Sequence, residues 1–159
     1  MAQDEIKGAG ESGTDAEEFF QAGVFLLKRG RPKEALTAFR RALSIKDSEP
    51  RYLSYCGLCM ARSGESIPEA VELCERAVRR EFFRADLFLN LGKVYLMSGN
   101  RMKAHQAFRK ARSLEQENTE VRQELQRMGV RKPPPLPFLD RGHPLNKIAG
   151  KMLHKMRLR

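Results

Sequence analysis

Apolar and polar residues follow a helical period between residues 85 and 116. The apolar residues of the first half share one helical stripe: Phe88, Leu91, Gly92 and Tyr95. Those of the second half share another: Ala104, Phe108 and Ala111. The triplet Ser98-Gly99-Asn100 between the halves is typical of a tight turn. The pattern therefore predicts two antiparallel helices joined by a short turn.

The same pattern occurs twice more, at intervals of 34 or 35 residues. Small residues keep this interval in three series: Gly23, Gly57 and Gly92; Gly30, Gly64 and Gly99; Ala42, Ala77 and Ala111. The additional residue of the second repeat lies between Gly64 and Ala70, in a turn, where an insertion costs little. Because one helix pair cannot bury both of its faces, we expect the three pairs to stack on one another.

This period and these small residues resemble the tetratricopeptide repeat family, whose unit is a helix-turn-helix of about 34 residues. The resemblance covers residues 16 to 116. It implies an all-α fold, a right-handed α-solenoid of three helix-turn-helix repeats. The chain departs from the family pattern in having no tryptophan, and in Cys74, which stands where the other repeats have Phe39 and Phe108.

The N-terminal segment differs from the repeats in composition. Residues 1–14 are polar and without period, which predicts a disordered arm. Asp15, with Glu18 three residues on, is expected to cap the first helix near Ala16. The repeat domain with its capping helix is therefore expected over residues 15–129.

Two predicted elements follow the repeats. Asn118 is expected to begin a seventh, polar helix that caps the array, and Gly129 to end it. Residues 130–143 contain four prolines, Pro133, Pro134, Pro135 and Pro137. They predict an extended, semi-rigid linker of about 3 Å per residue, with a short proline docking motif as the alternative.

The last segment, residues 144–159, resumes a helical period and is predicted to form a basic amphipathic tail helix. Its apolar face and the lysines beside it are expected to make the contacts of the tail: Leu145, Ile148, Met152 and Met156, with Lys147, Lys151 and Lys155. A helix this short is marginal in water and needs a surface. Its own solenoid, a partner protein and an anionic membrane remain alternatives.

The charge of the chain grows toward its C-terminus. The net formal charge is +10; residues 1–20 carry one cation and six anions, and residues 131–159 carry eight cations and one anion. A basic segment suits an acidic partner, an anionic membrane or nucleic acid. No aromatic residue lies between Arg141 and Arg159 to stack on bases, so nucleic acid is the least expected of the three.

The sequence offers no candidate for catalysis. Cys56 and Cys59 form a C-x-x-C motif, but the repeat register places Cys56 inside a hairpin, which favours small core residues over a redox or metal pair. The three histidines have no ligand spacing, and no glycine-rich loop suits a phosphate. We therefore expect no enzyme activity, no metal, no cofactor and no small-molecule substrate.

A cytoplasmic location is expected from the ends and the cysteines of the chain. No apolar run approaches the about 18 residues that a membrane span needs. The first residues lack the basic start and apolar core of a signal peptide. Three cysteines, an odd number, fit a reducing compartment.

Binding of a protein partner is the expected function. The resemblance implies that the first helices of the hairpins line an inner groove. The residues expected to contact a peptide there are Phe20, Val24, Leu27, Arg51, Leu58, Arg62, Leu89 and Lys93. Because most of them are apolar, we expect an amphipathic helix or an extended apolar peptide, bound by an adaptor or chaperone-like module.

The groove lacks the residues that would select an acidic C-terminus. Family members that grip the tails of heat-shock chaperones use lysine, asparagine and arginine at fixed groove positions. Those positions are here Phe20, Val24, Tyr55, Asp86 and Asn90. Asp86 would repel a carboxylate. The alternative function is a recruitment factor whose basic tail docks on an anionic membrane or, less expected, on nucleic acid.

Overall fold

The computed structural model consists of α-helices joined by short turns. It describes residues 4–129, 144–145, 148 and 151–152, with the backbone alone for residues 4–14. The helices are α1 (Asp4–Lys28), α2 (Pro32–Ile45), α3 (Pro50–Ser63), α4 (Ile67–Arg80), α5 (Ala85–Met97), α6 (Arg101–Leu114) and α7 (Thr119–Arg127). No helix in the described part is long and apolar enough to cross a membrane. The chain divides into two units, Met1–Leu125 and Gln126–Arg159.

The turns within the hairpins lie where the sequence predicts them. Gly30, Gly64 and Gly99 have φ angles of 72°, 79° and 77°, in the left-handed region that glycine enters without a steric penalty. Asn100 then caps α6, because its side-chain oxygen accepts a hydrogen bond from the backbone N–H of Lys103 at 3.1 Å. Each predicted turn therefore ends one helix and starts the next.

The first unit is a stack of three helix hairpins. The hairpins are formed by α1 with α2, α3 with α4 and α5 with α6; α3 packs on α2, and α5 packs on both α3 and α4. In the first hairpin, a β-carbon on Gly23 would lie 2.6 Å from Cε1 of Phe39, so the ring occupies the space that a side chain would need. The predicted all-α repeat fold and its register are confirmed.

The second hairpin has a sulfur where the others have a ring. A β-carbon on Gly57 would lie 2.7 Å from the carbonyl oxygen of Ala70 and 2.8 Å from Sγ of Cys74. Cys56, Cys59 and Cys74 are all buried free thiols. The smaller side chain thus lets backbone atoms of α4 approach α3 directly.

The first helix begins earlier than predicted. Its backbone is helical from Asp4, so Asp15 lies inside α1 and the predicted start near Ala16 is wrong. Residues 4–14, expected to be a disordered arm, continue this helix. Extension of a helix that is already formed adds one hydrogen bond per residue without the cost of nucleation.

The seventh helix begins as predicted. The side-chain oxygen of Asn118 accepts a hydrogen bond from the backbone N–H of Val121 at 3.1 Å, and Val121 is fully buried. Gly129 follows the helix with a φ of 78°. The proline-rich residues 130–143 lie outside the described part, so their role as a linker or docking motif stays a prediction.

Candidate functional site

Polar side chains join the first helices of successive repeats. We call this row the inner ladder, and its pairs, donor first, are Arg51–Glu17 at 2.9 Å, Asn90–Ser54 at 3.1 Å and Lys93–Glu120 at 2.7 Å. Each pair crosses one repeat boundary, from α1 to α3, from α3 to α5 and from α5 to α7. The ladder therefore marks the side of the first unit on which the first helices lie.

Sequence reasoning missed the ladder, although the repeat register contains its signal. Glu17, Arg51, Asp86 and Glu120 follow one another at intervals of 34, 35 and 34 residues, so they share one repeat position. The sign of the charge changes between the first two of these residues, where a direct ion pair forms. A change of charge at one repeat position thus indicates the first pair of the ladder, whereas the other two pairs join different repeat positions and carry no such signal.

An aromatic cluster lies next to the first pair of the ladder. The ring of Phe20 stacks on Tyr52, with centroids 4.9 Å apart, and meets Tyr55 edge-on at 5.2 Å. The guanidinium carbon of Arg51 lies 4.9 Å from the centre of the Phe20 ring. These contacts fix the Tyr55 ring, which is half-buried, in one orientation.

The Tyr55 hydroxyl differs from the hydroxyls of the other two tyrosines. Tyr52 donates to Glu17 at 3.0 Å, and Tyr95 donates to Glu75 at 2.5 Å. Burial and nearby charges act on the Tyr55 hydroxyl, but no side-chain hydrogen bond to it is found within the described residues. It therefore keeps both a donor and an acceptor for a bound molecule.

Charges of both signs lie near this hydroxyl. Burial raises the pKa of Tyr55, the carboxylates of Asp86 and Glu120 raise it further, and the cations Arg84 and Arg51 oppose this effect. Asp86 is held by Arg84 at 2.7 Å, and Glu120 by the ammonium of Lys93. The surface around Tyr55 is thus polar, and its carboxylates are paired with cations.

The residues predicted to contact a peptide differ in their exposure. Phe20, Leu58, Leu89 and Lys93 are buried, with 5%, 2%, 5% and 9% of their surface exposed. Val24, Leu27 and Arg51 are half-buried, and Arg62 is exposed. The two leucines offer almost no surface to a peptide. Leu58 lies in α3, which packs against α2, α4 and α5, and Leu89 lies in α5, which packs against α3, α4 and α6. The inner surface is consequently more polar than the predicted apolar groove.

Three of the groove positions considered for a carboxylate clamp have other contacts. Phe20 belongs to the aromatic cluster, and Asn90 is buried and hydrogen-bonded to Ser54. Asp86 is an anion paired with Arg84. None of these three positions presents a cation to a ligand.

The thiols of the C-x-x-C motif behave as core groups. Burial raises the pKa of Cys56 to about 11 and that of Cys59 to about 12, so both are protonated at neutral pH. In the described ranges, no group of three or more His, Cys, Asp or Glu side chains is placed to hold a metal ion. The arrangement supports the interpretation of these cysteines as small core residues.

The tail is described only in part. Leu145, Ile148 and Met152 are exposed, with 51%, 56% and 61% of their surface accessible, and Lys151 is exposed as well. Met156, Lys147 and Lys155 lie outside the described residues. Which surface the tail contacts therefore stays a prediction.

Comparison with known proteins adds a sequence relative and solved structures. No family model matches the chain. It is 35% identical over 86 residues to the TPR repeat-containing thioredoxin TTL4 of Arabidopsis thaliana, a match that covers 54% of this chain and only 12% of that protein. It also superposes on the first TPR of Spaghetti (RPAP3) bound to the HSP90 peptide SRMEEVD, with a TM-score of 0.62 and 17% identity over 73% of this chain and 91% of that chain.

A further structural neighbour is YrrB, described as a TPR protein with an unusual peptide-binding site. The TM-score is 0.59, the identity is 25%, and the match covers 70% of this chain and 57% of that chain. The likeness in each case is to stacked helix hairpins.

Proposed function

We propose that this chain, whose three hairpins are tetratricopeptide repeats, is a non-catalytic interaction module that binds a peptide segment of a partner protein along the inner ladder. Peptide binding is the mode named for the Spaghetti domain with its HSP90 peptide. The proposal gives this chain the same general mode with a different selectivity, because its inner surface carries different side chains.

The Tyr55 hydroxyl is the observation that carries the proposal. It is fixed by the aromatic cluster, half-buried, and without a protein partner in the described part. A peptide backbone offers both an N–H and a carbonyl group to such a hydroxyl. Tyr55 would therefore anchor the peptide at the middle repeat.

The predicted contact residues fall into two roles in this proposal. The accessible members, Val24, Leu27, Arg51 and Arg62, would touch the peptide. The buried members would support that surface from below: Phe20, Leu58, Leu89 and Lys93. Apolar contact with the peptide would thus concentrate at α1, and polar contact at α3.

The charges around Tyr55 are of both signs. Asp86 and Glu120 lie near its hydroxyl, but so do Arg84 and Arg51. We therefore expect selectivity to depend on the apolar side chains of the peptide more than on its net charge. An amphipathic helix or an extended apolar peptide has this chemistry.

The experiment is a peptide selection by phage display on the full chain, followed by affinity measurements with a selected peptide. Tyr55→Phe should weaken binding about fivefold, corresponding to about 1 kcal/mol for one hydrogen bond. Ser44→Ala is the control, since it removes an exposed hydroxyl of α2 that bonds the carbonyl of Arg41. Equal affinity of Tyr55→Phe and the wild type would show that the peptide binds elsewhere.

A second candidate function, surface recruitment, rests on the exposed side chains of the tail. Leu145, Ile148 and Met152 recur at helical spacing, and Lys151 lies among them. Apolar and cationic side chains in this arrangement suit the interface of an anionic membrane.

A further inference from the structure

The outer helix of the third hairpin carries an unusual charge. Among the second helices, α2 has three cations and one anion, α4 has three of each, and α6 has five cations and no anion. The five cations of α6 are all exposed: Arg101, Lys103, Arg109, Lys110 and Arg112. Because the three helices occupy equivalent places in their hairpins, the packing of the hairpin does not account for this difference.

The end of the array explains part of the charge. Arg112 stands at the repeat position of Leu43 and Val78, which pack against an apolar cluster containing Leu53 and Leu87. In the described part the third hairpin is followed by the single helix α7 instead of a fourth hairpin, so a polar side chain at this position is tolerated. Arg112 therefore needs no ligand.

Lys103 is not explained in this way. Its repeat position is occupied by Glu34 in α2 and by Glu69 in α4, and both glutamates are exposed. The charge is thus reversed at a position that faces solvent in every repeat. Its ammonium lies 3.9 Å from Glu75 and 5.3 Å from the centre of the Tyr95 ring, so the reversal places a cation at the edge of the third hairpin.

A shallow pocket of about 330 Å³ opens beside this lysine, between α5 and α6. We call it the α6 pocket, and its lining residues are Phe88, Leu91, Tyr95, Lys103, Gln106, Ala107 and Lys110. Carbon atoms of α5 form its floor, and the two lysines and the glutamine lie along α6. The pocket therefore combines an apolar interior with a cationic edge.

Ala107 lines the pocket with a small side chain, as Ala38 would at the same position of the first repeat. The equivalent residue of the second repeat is Leu73, which packs against the cluster of Leu53, Ala77 and Leu87. Its Cβ would lie 3.3 Å from a β-carbon on Gly57, so it fills the cleft of its own hairpin. Alanine lacks the isobutyl group, and the third hairpin keeps the space unfilled.

The nearest acid does not cancel the positive charge of the edge. Glu75 accepts a hydrogen bond from the Tyr95 hydroxyl at 2.5 Å, and lies 3.6 Å from Arg79 and 3.9 Å from Lys103. Lys110 has no ion-pair partner among the residues described. The edge of the pocket thus retains cationic charge that an incoming anion would meet.

We propose that the α6 pocket is a second binding site, which takes one apolar side chain of an acidic protein segment and holds its flanking carboxylates with Lys103 and Lys110. A polypeptide is favoured over nucleic acid because phosphates would use the charge and leave the apolar interior empty. The site lies apart from Tyr55 and the inner ladder, so it does not depend on the proposed function.

The test uses fluorescence anisotropy with the full chain and two labelled peptides, Glu-Glu-Phe-Glu-Glu and the same peptide with serine at its centre. The phenylalanine peptide should bind about tenfold more tightly, since its ring would enter the pocket. Ala107→Leu, which gives the third hairpin the side chain of the second, should remove this advantage. The basic tail is identical in all proteins, so differences between variants report on the pocket alone.

Two charge variants separate the pocket from general attraction. Lys110→Glu should weaken the phenylalanine peptide about tenfold, whereas Arg112→Glu, an equal change on α6 outside the pocket lining, should change it less than about twofold. Equal weakening by both variants, with no effect of Ala107→Leu, would reduce the site to a diffuse basic surface and overturn the proposal.

Further probes cover the other polyanions. Binding of a single-stranded oligonucleotide and of an anionic vesicle is measured with the wild type and with Ala107→Leu. If Ala107→Leu weakens one of these and leaves peptide binding unchanged, the pocket belongs to that partner and the proposal is overturned. Amide chemical shifts of Gln106 and Lys110 in the wild-type chain provide a measurement that no folding defect can affect. Failure of the phenylalanine peptide to move them would also overturn it.

Discussion

Gly92 lies so close to Phe108 that a β-carbon on the glycine would overlap with Cε1 of the ring. The ring itself is fully buried. Glycine at position 92 and phenylalanine at position 108 are therefore needed together for α5 and α6 to pack this closely.

Both members of this pair should be sensitive to substitution. Gly92→Ala should reduce the free energy of unfolding by about 1–3 kcal/mol through overpacking, and Phe108→Ala by about 3–5 kcal/mol through a cavity. Urea denaturation of the full chain measures both, with Gln106→Ala on the exposed face of α6 as the control. A Gly92→Ala protein as stable as the wild type would contradict the contact.

The second hairpin should reject the residue that the other two use. Cys74→Phe restores the phenylalanine of the repeat register. The backbones of α3 and α4 are too close for it, since even a β-carbon on Gly57 would lie only 2.7 Å from the carbonyl oxygen of Ala70. The larger ring should therefore destabilise the chain by about 1–3 kcal/mol instead of stabilising it.

Thermal and urea unfolding of Cys74→Phe and Cys74→Ala decide this point. If lack of space is the cause, Cys74→Ala should reduce the free energy of unfolding less than Cys74→Phe does. A Cys74→Phe protein more stable than the wild type would mean that the second hairpin can open to the spacing of its neighbours.

Acid should weaken the first pair of the inner ladder. Burial of Glu17 tends to raise its pKa, but hydrogen bonds from Gln21 and Tyr52 and the charge of Arg51 outweigh it and lower the pKa below its ordinary 4.5. The carboxylate therefore adds stability above its unfolded pKa, and this stability is lost as the pH falls through the lower folded pKa.

Glu17→Gln should consequently be less stable than the wild type at neutral pH and match it more closely at a pH well below 4.5, the ordinary pKa of the carboxyl. Urea unfolding at both pH values measures the difference. Tyr52→Phe, which removes one of the hydrogen bonds to Glu17, should show a smaller pH dependence than the wild type. A difference between Glu17→Gln and wild type that stays constant with pH would exclude this role of the carboxylate.

The recruitment candidate predicts binding to charged vesicles. The full chain should bind vesicles with anionic lipid and release as salt rises, because screening weakens the attraction of its lysines and arginines. Ile148→Glu should reduce this binding, and Thr37→Glu, at an exposed position of α2, should serve as the control for charge. Equal co-sedimentation with neutral and anionic vesicles would remove the candidate.

The register of the repeats was predictable from the sequence, but the exposure of the groove was not. Gly23, Gly57 and Gly92 report the crossing of two helices within one hairpin, a local contact that recurs at a fixed interval. Leu58 and Leu89 carry no comparable signal, because a helical period does not distinguish a stripe that faces a groove from one enclosed by the next repeat. The start of α1 was missed because a polar, glycine-containing segment can still extend a helix that packing has formed.

The three pairs of the inner ladder also determine how this chain can and cannot be rearranged. The first boundary is joined by an arginine and a glutamate, the next by an amide and a hydroxyl, and the last by a lysine and a glutamate. In the first pair the acid comes earlier in the sequence, and in the last pair the base does. A repeat moved to another place would bring the wrong half of a pair to each of its boundaries. The hairpins, alike in backbone, are therefore not interchangeable modules: their order in the array is encoded at the junctions, and a shuffled or duplicated repeat would have to be recoded there before it could be inserted.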